Sequence, residues 1–120
     1  MKIETSELQG AALDWAVAKC EGVTVLPKMR GGCYVTLYKG ETVLLCYSTN
    51  WAQGGPIIER EVCTLIERDG QWQAEVFWPK PPNKNRFCYC VRGPTPLIAS
   101  MRCYVASRLG AEIEIPEELK

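Results

Sequence analysis

Histidine is absent from the 120 residues, and aspartate is nearly so, occurring only at positions 14 and 69. Histidine-based triads and HExxH zinc sites are therefore excluded, and any paired-carboxylate mechanism would have to rest on glutamates. Glu59 and Glu61 are the close pair in the middle of the chain, and such a pair reads first as a solvated strand edge. Net charge is lacking as well: 14 basic residues balance 14 acidic ones, so no sequence-independent attraction to nucleic acid is expected. No apolar run is long enough to cross a bilayer, which predicts a soluble chain with no membrane partner. CxxC spacing is missing, and with it the usual structural zinc motif, so neither metal nor cofactor is expected.

What is present is a chain long enough to bury a real core as a single domain, 1–120, with an acidic tail at 116–120. The seven cysteines, at 20, 33, 46, 63, 88, 90 and 103, lie mostly inside apolar runs. With no leader pattern upstream, that usage fits a reducing cytosol, and most of the thiols are expected to be small buried hydrophobes.

Thr5 or Ser6 has the character of a helix N-cap, and Leu8, Ala12, Ala16 and Cys20 follow at steps of four, with Gly22 as the stop. Residues 33–38 and 42–47 read as a hairpin, and 63–68 and 71–78 as a second one across Asp69-Gly70. Residues 79–86, PKPPNKNR, read as a basic, proline-rich loop. After a strand at 87–91, Thr95 caps a second helix with Pro96 in its first position; Leu97, Met101, Val105 and Leu109 form its stripe, and Gly110 ends it. Ile113 and Ile115 alternate with glutamates as a last strand. The fold class is α+β: a twisted antiparallel sheet of about five strands, with N- and C-terminal helices packed on it.

The chemically densest stretch is 47–60, YSTNWAQGGPIIER, read as a strand running into a loop. Trp51 offers a flat apolar face, Asn50 and Gln53 carry donors and acceptors, Tyr47 and Thr49 carry hydroxyls, and Gly54-Gly55 lets a partner approach the main chain. Arg60 adds a cation. A second cluster, Arg92, Thr95 and Arg102, gathers around the start of the last helix, where free N–H groups favour an anion. Plainer readings stand beside these, with Trp51 as a core plug, Gly-Gly-Pro as a tight turn and GPTP as an ordinary helix start.

YSTNWAQGGPIIER at 47–60 and GPTPLIASMRCYVASRLG at 93–110, preceded by TSELQGAALDWAVAKCEG, resemble the NinX-type proteins of lambdoid phages and prophages, a family of unassigned function. The resemblance spans nearly the whole chain. It departs at Asn50, where the family often carries an acidic residue. It implies a small accessory protein made in the host cytoplasm, and carries over no catalytic residues.

Two functions follow as expectations. One is a non-enzymatic binder that sequesters a nucleotide or ADP-ribose-like signal, its base on Trp51 with Asn50 and Gln53, its phosphates at Arg92, Arg102 and the GPTP helix start. The alternative is a protein-interaction module that inhibits or redirects a host or phage enzyme through Trp51, Ile57 and Ile58. Exposed Trp and Ile point to a homo-oligomer in either case. A hydrolase built on Glu59 with Thr49 or Tyr47 is a weaker third reading, and DNA binding ranks last, since neither helix carries a basic face.

Overall fold

The C-terminal helix is the element on which the others assemble, and Thr95 defines where it begins. The Thr95 hydroxyl accepts from Ile98 N at 3.0 Å, and Pro96 opens a helix (Pro96–Leu109) that Gly110 closes. In the computed structural model, which describes residues 2–79 and 84–116, this is α3. The strands are β1 (Lys2–Glu4), β2 (Met29–Arg30), β3 (Cys33–Tyr38), β4 (Glu41–Leu44), β5 (Thr64–Arg68), β6 (Gln71–Trp78), β7 (Phe87–Gly93) and β8 (Glu112–Glu114). Two further helices, α1 (Gly10–Glu21) and α2 (Trp51–Glu61), complete the α+β fold.

One side of α3 packs on β5–β6–β7, where Ala99 and Cys103 meet Ala74 and Val76. Close approach is possible because Gly93 has no side chain: a Cβ there would lie 2.7 Å from Ala99 N. The other side, through Met101, Tyr104 and Val105, packs on Leu13, Ala16 and Val17 of α1 and on Ile57 of α2. A smaller apolar cluster, Ala18 with Tyr34 and Leu45, joins α1 to β3.

Along 71–78 inward and outward positions alternate, with Ala74 and Val76 buried and Phe77 exposed, and both expected hairpins form in antiparallel register. Corrections concern how the strands are grouped and where some elements begin. In place of one sheet of about five strands there are three small ones, β1–β8, β2–β3–β4 and β5–β6–β7. Thr5 does not cap the first helix: its hydroxyl donates to Gly110 O at 2.6 Å, sealing the end of α3, and the cap of α1 is Gln9. The cysteines are less buried than expected: Cys103 is buried, Cys88 and Cys90 are exposed, and the other four are intermediate. Residues 80–83 of the basic loop and 117–120 of the acidic tail lie outside the described residues.

Asp14, in α1, is buried and accepts from Ser48 N at 2.8 Å. Burial raises its pKa from the ordinary 3.8, more than the Ser48 hydrogen bonds lower it. A raised folded-state value means that the folded chain holds this proton more tightly than the unfolded one. The contribution is therefore present at low pH and is lost as pH rises from the ordinary value through the folded one. Asp14→Asn keeps an oxygen for Ser48 and removes the charge. Thermal unfolding followed by circular dichroism is expected to give Asp14→Asn a higher Tm than the wild type at pH 7, a gap that narrows towards about pH 4.

Candidate functional site

The 47–60 stretch is not strand and loop. β4 ends at Leu44, and residues 51–61 are helical. The Asn50 side chain accepts from Ala52 N at 2.9 Å as the N-cap, and Gly54, Ile57 and Glu61 fall on one buried face at steps of three and four. Pro56 sits within the helix on its exposed side, so the bond it deletes is on the solvent side. Gly54 is where the helix presses on the rest of the fold: a Cβ there would lie 2.5 Å from Tyr47 O and 2.6 Å from Leu97 Cδ2. Gly55 faces outward, and an added Cβ would meet only Trp51 Cε3, at 3.7 Å. Trp51 itself is 54% exposed. Ile57 is buried and Ile58 half-buried, so the expected Trp51–Ile57–Ile58 surface reduces to Trp51.

Gln53 is a brace. Its Nε2 donates to Leu44 O at 2.8 Å and its Oε1 accepts from Cys46 N at 2.7 Å, so the amide continues the hydrogen bonding of β4 where the strand stops. Beside it opens a cleft of about 440 Å³ between the β3–β4 hairpin and the chain leaving α1. Val23, Leu37, Val43 and Leu45 give its apolar wall, and Thr24, Thr36, Tyr38, Tyr47 and Gln53 its polar positions. Thr36 Oγ1 donates to Thr24 O at 2.6 Å and holds the two walls together. Burial, with smaller contributions from the carboxylates of Glu21 and Asp14, raises the Tyr47 pKa, so its phenol stays a neutral hydrogen-bonding group at physiological pH.

A second cleft, of about 410 Å³, lies where the three helices converge. Arg60 joins Glu21 through Nη1 at 3.1 Å and Nη2 at 2.6 Å, and its Nε lies 2.9 Å from Glu61 Oε2. Arg108 Nη2 reaches Glu61 Oε1 at 2.5 Å while its guanidinium stacks 3.3 Å above the Trp78 ring. Tyr104 donates its hydroxyl to Glu21. Burial opposes ionisation of Glu21, but the hydrogen bonds from Arg60 and Tyr104 and the charges of Arg60 and Arg108 outweigh it and lower the pKa. Burial also pushes Cys20 up to about 12 and Cys63 to about 11, so neither thiol is a ready nucleophile at neutral pH. Two cations and two carboxylates cancel, which makes this a clamp of helix ends as it stands. Sequence reasoning singled out Arg60 alone here, and placed Glu61 on a solvated strand edge when its side chain is only 2% exposed on a helix. Apart from the Tyr104–Arg108 step of four on α3, these contacts join residues far apart in the chain and leave no local spacing to read.

Of the residues singled out from the sequence, the structure brings Tyr47 and Gln53 together in the apolar cleft and puts Arg60 in the charged one. Thr49 and Asn50 are exposed at the start of α2. Arg92, Thr95 and Arg102 stand in the wall of neither. Arg102 spends its guanidinium on backbone, with Nε on Leu8 O at 2.6 Å and Nη1 on Arg92 O at 3.0 Å. The two stretches do meet, but through apolar packing of Gly54 on Leu97. Among the described residues no group of three or more Cys, Asp or Glu is placed to hold a metal ion, and no helix is long and apolar enough to cross a membrane.

No curated protein matches the chain. The family model described as bacteriophage P22, NinX, does match it, over residues 4–108, a span that takes in α1, α2, α3 short of its last residue, both hairpins and the walls of both clefts. The chain belongs to the phage P22 NinX family.

Proposed function

We propose that this phage-family chain is a non-enzymatic binder that sequesters a small nucleotide-like signal in the host cytoplasm, and that the apolar cleft beside Tyr47 and Gln53 is where the ligand's heterocycle sits. The observation that carries the reading is the cleft itself. Its volume of about 440 Å³ falls within the ~300–1,000 Å³ of small-molecule sites, and such sites are mostly apolar with a few fixed polar groups. Tyr47 and Tyr38 supply aromatic surface, and Lys39 Nζ, 5.5 Å from the Tyr38 ring centre, puts a cation at the hairpin tip for a phosphate. The exposed indole of Trp51 supports the second reading, an anchor for a protein partner, on a different surface from the cleft.

Isothermal titration of the full chain against cyclic dinucleotides and cyclic and linear ADP-ribose derivatives tests the proposal. Saturable heat is expected with at least one of them. Val43→Arg, which fills the cleft from a half-exposed position, is expected to abolish it, and Trp51→Ala to leave it intact. Absence of heat across the panel, from protein with an intact circular dichroism spectrum, overturns the reading, as does loss of binding in Trp51→Ala with retention in Val43→Arg.

A further inference from the structure

We propose that Cys33 and Cys46 form a dithiol site that hydrogen peroxide oxidises to an intramolecular disulfide. Both thiols are free, and their sulfurs lie 3.6 Å apart. Strand register puts them there. The ladder pairs Val35 with Leu44 and Thr36 with Val43, and Leu45 N donates to Tyr34 O at 2.8 Å. One step further along, Cys33 stands opposite Cys46. Because the hydrogen bond belongs to the Tyr34–Leu45 pair, Cys33 and Cys46 occupy a non-hydrogen-bonded position. Opposed Cα atoms come closest at such positions, about 4.5 Å apart, inside the range a disulfide spans. The Cys46 N–H turns instead to Gln53 Oε1, at 2.7 Å, which fixes the backbone on that side.

The other cysteines lack this arrangement. Cys88 and Cys90 are exposed on the same face of one strand, and such positions stand about 7 Å apart, beyond the Cβ separation a bridge tolerates. Cys103 is buried. Cys33 and Cys46 are partly exposed, so a small oxidant reaches them.

Cys33, as the thiolate, attacks one peroxide oxygen. The O–O bond breaks, hydroxide leaves, and a sulfenic acid forms on Cys33. The Cys46 sulfur then attacks the Cys33 sulfur, the S–O bond breaks, and the departing hydroxide takes the Cys46 proton as water. In sum two thiols and one peroxide give one disulfide and two waters, the sulfurs losing two electrons and the peroxide gaining them. Burial and the neighbouring Cys33 thiol push Cys46 up to about 11, so it is still protonated when the peroxide arrives and gives up its proton only as the S–S bond forms. The product ties the start of β3 to the chain just beyond β4.

The test uses the full chain carrying Cys88→Ser and Cys90→Ser, which removes the exposed competitors. Reduced protein is treated with a small excess of hydrogen peroxide, alkylated, weighed intact and digested for peptide mapping. The expected product has lost two hydrogens, contains a Cys33–Cys46 cross-linked peptide and reverts with dithiothreitol; adding Cys33→Ser abolishes it. A cross-link between any other pair, oxygen gained without the Cys33–Cys46 peptide, or thiols unchanged by peroxide that fully oxidises glutathione would each overturn the proposal.

Discussion

Gly54→Ala is expected to destabilise the protein by about 3 kcal/mol, while Gly55→Ala, one residue along the same helix, stabilises it by up to about 1 kcal/mol. In an exposed helix both changes would have the second sign, because alanine loses less backbone freedom on folding than glycine. The difference lies in what each new methyl meets. At Gly55 it would touch only Trp51 Cε3, at 3.7 Å, an ordinary contact. At Gly54 it would lie 2.5 Å from Tyr47 O and 2.6 Å from Leu97 Cδ2. Leu97 is 4% exposed and has little room to turn away. Tyr47 O belongs to a turn held by Asn50 N on Cys46 O at 2.8 Å and by the Gln53 brace. Relief therefore requires α2 to lift from α3, or the 46–50 turn to break. Urea unfolding of the two variants, with m-values compared to confirm two-state behaviour, decides the matter. Shifts of the same sign would mean that α2 is not seated on Leu97 as described.

That glycine also shows where sequence reasoning stopped. Both hairpins, the Thr95–Pro96 start and the Gly22 and Gly110 stops were legible because each depends on neighbours in the chain: a turn dipeptide, a capping hydroxyl, an apolar residue every fourth position. The α2 helix was not, because Gly-Gly-Pro is locally the strongest argument against a helix in this chain. The contrary signal, Gly54, Ile57, Ile58 and Glu61 at helical steps, was there to read. It decides the conformation only once α3 offers a surface that a side chain at 54 would block. The β1–β8 pair depends on residues more than a hundred positions apart, and no local pattern announces such a pairing.

The candidate site divides in the same way. Tyr47 and Gln53 were singled out for their chemistry and both line the apolar cleft, although Gln53 uses its amide to splice α2 onto β4. Asn50 and Thr95 were read as ligand groups and serve as helix caps, a role that the same hydrogen-bonding capacity performs. Arg102 was read as a phosphate partner and bonds two carbonyls; burial lowers its pKa, with the Glu7 carboxylate acting the other way. Composition identifies groups able to hydrogen bond, and only the fold decides whether the main chain claims them first.

Glu61→Ala is expected to cost about 3–4 kcal/mol, the range for removing one member of a buried ion pair and leaving the other uncompensated. The Glu61 and Arg108 side chains are 2% and 16% exposed, so water replaces little of what is lost. Arg108 would keep Ser107 Oγ at 2.7 Å and the Trp78 face, neither of which carries a formal charge. Arg108→Met in the same chain removes the stranded cation and retains apolar contact with Trp78. The double variant is therefore expected to be more stable than the sum of the two single losses predicts, by at least about 1 kcal/mol. The Arg60–Glu21 pair should behave differently, because Arg60 is 45% exposed: Arg60→Ala costs about 1 kcal/mol or less beyond its lost packing, a loss that shrinks further in high salt. Acid gives a further handle on the Arg60–Glu21 pair. Glu21 has a lowered pKa, so its contribution is complete above the ordinary glutamate value and disappears as pH falls through the folded one; in Arg60→Ala that part of the acid dependence should flatten. A double-mutant cycle on 61 and 108, measured by urea unfolding in low and high salt, is the measurement, and additive losses would show that Glu61 and Arg108 do not hold the ends of α2 and α3 together.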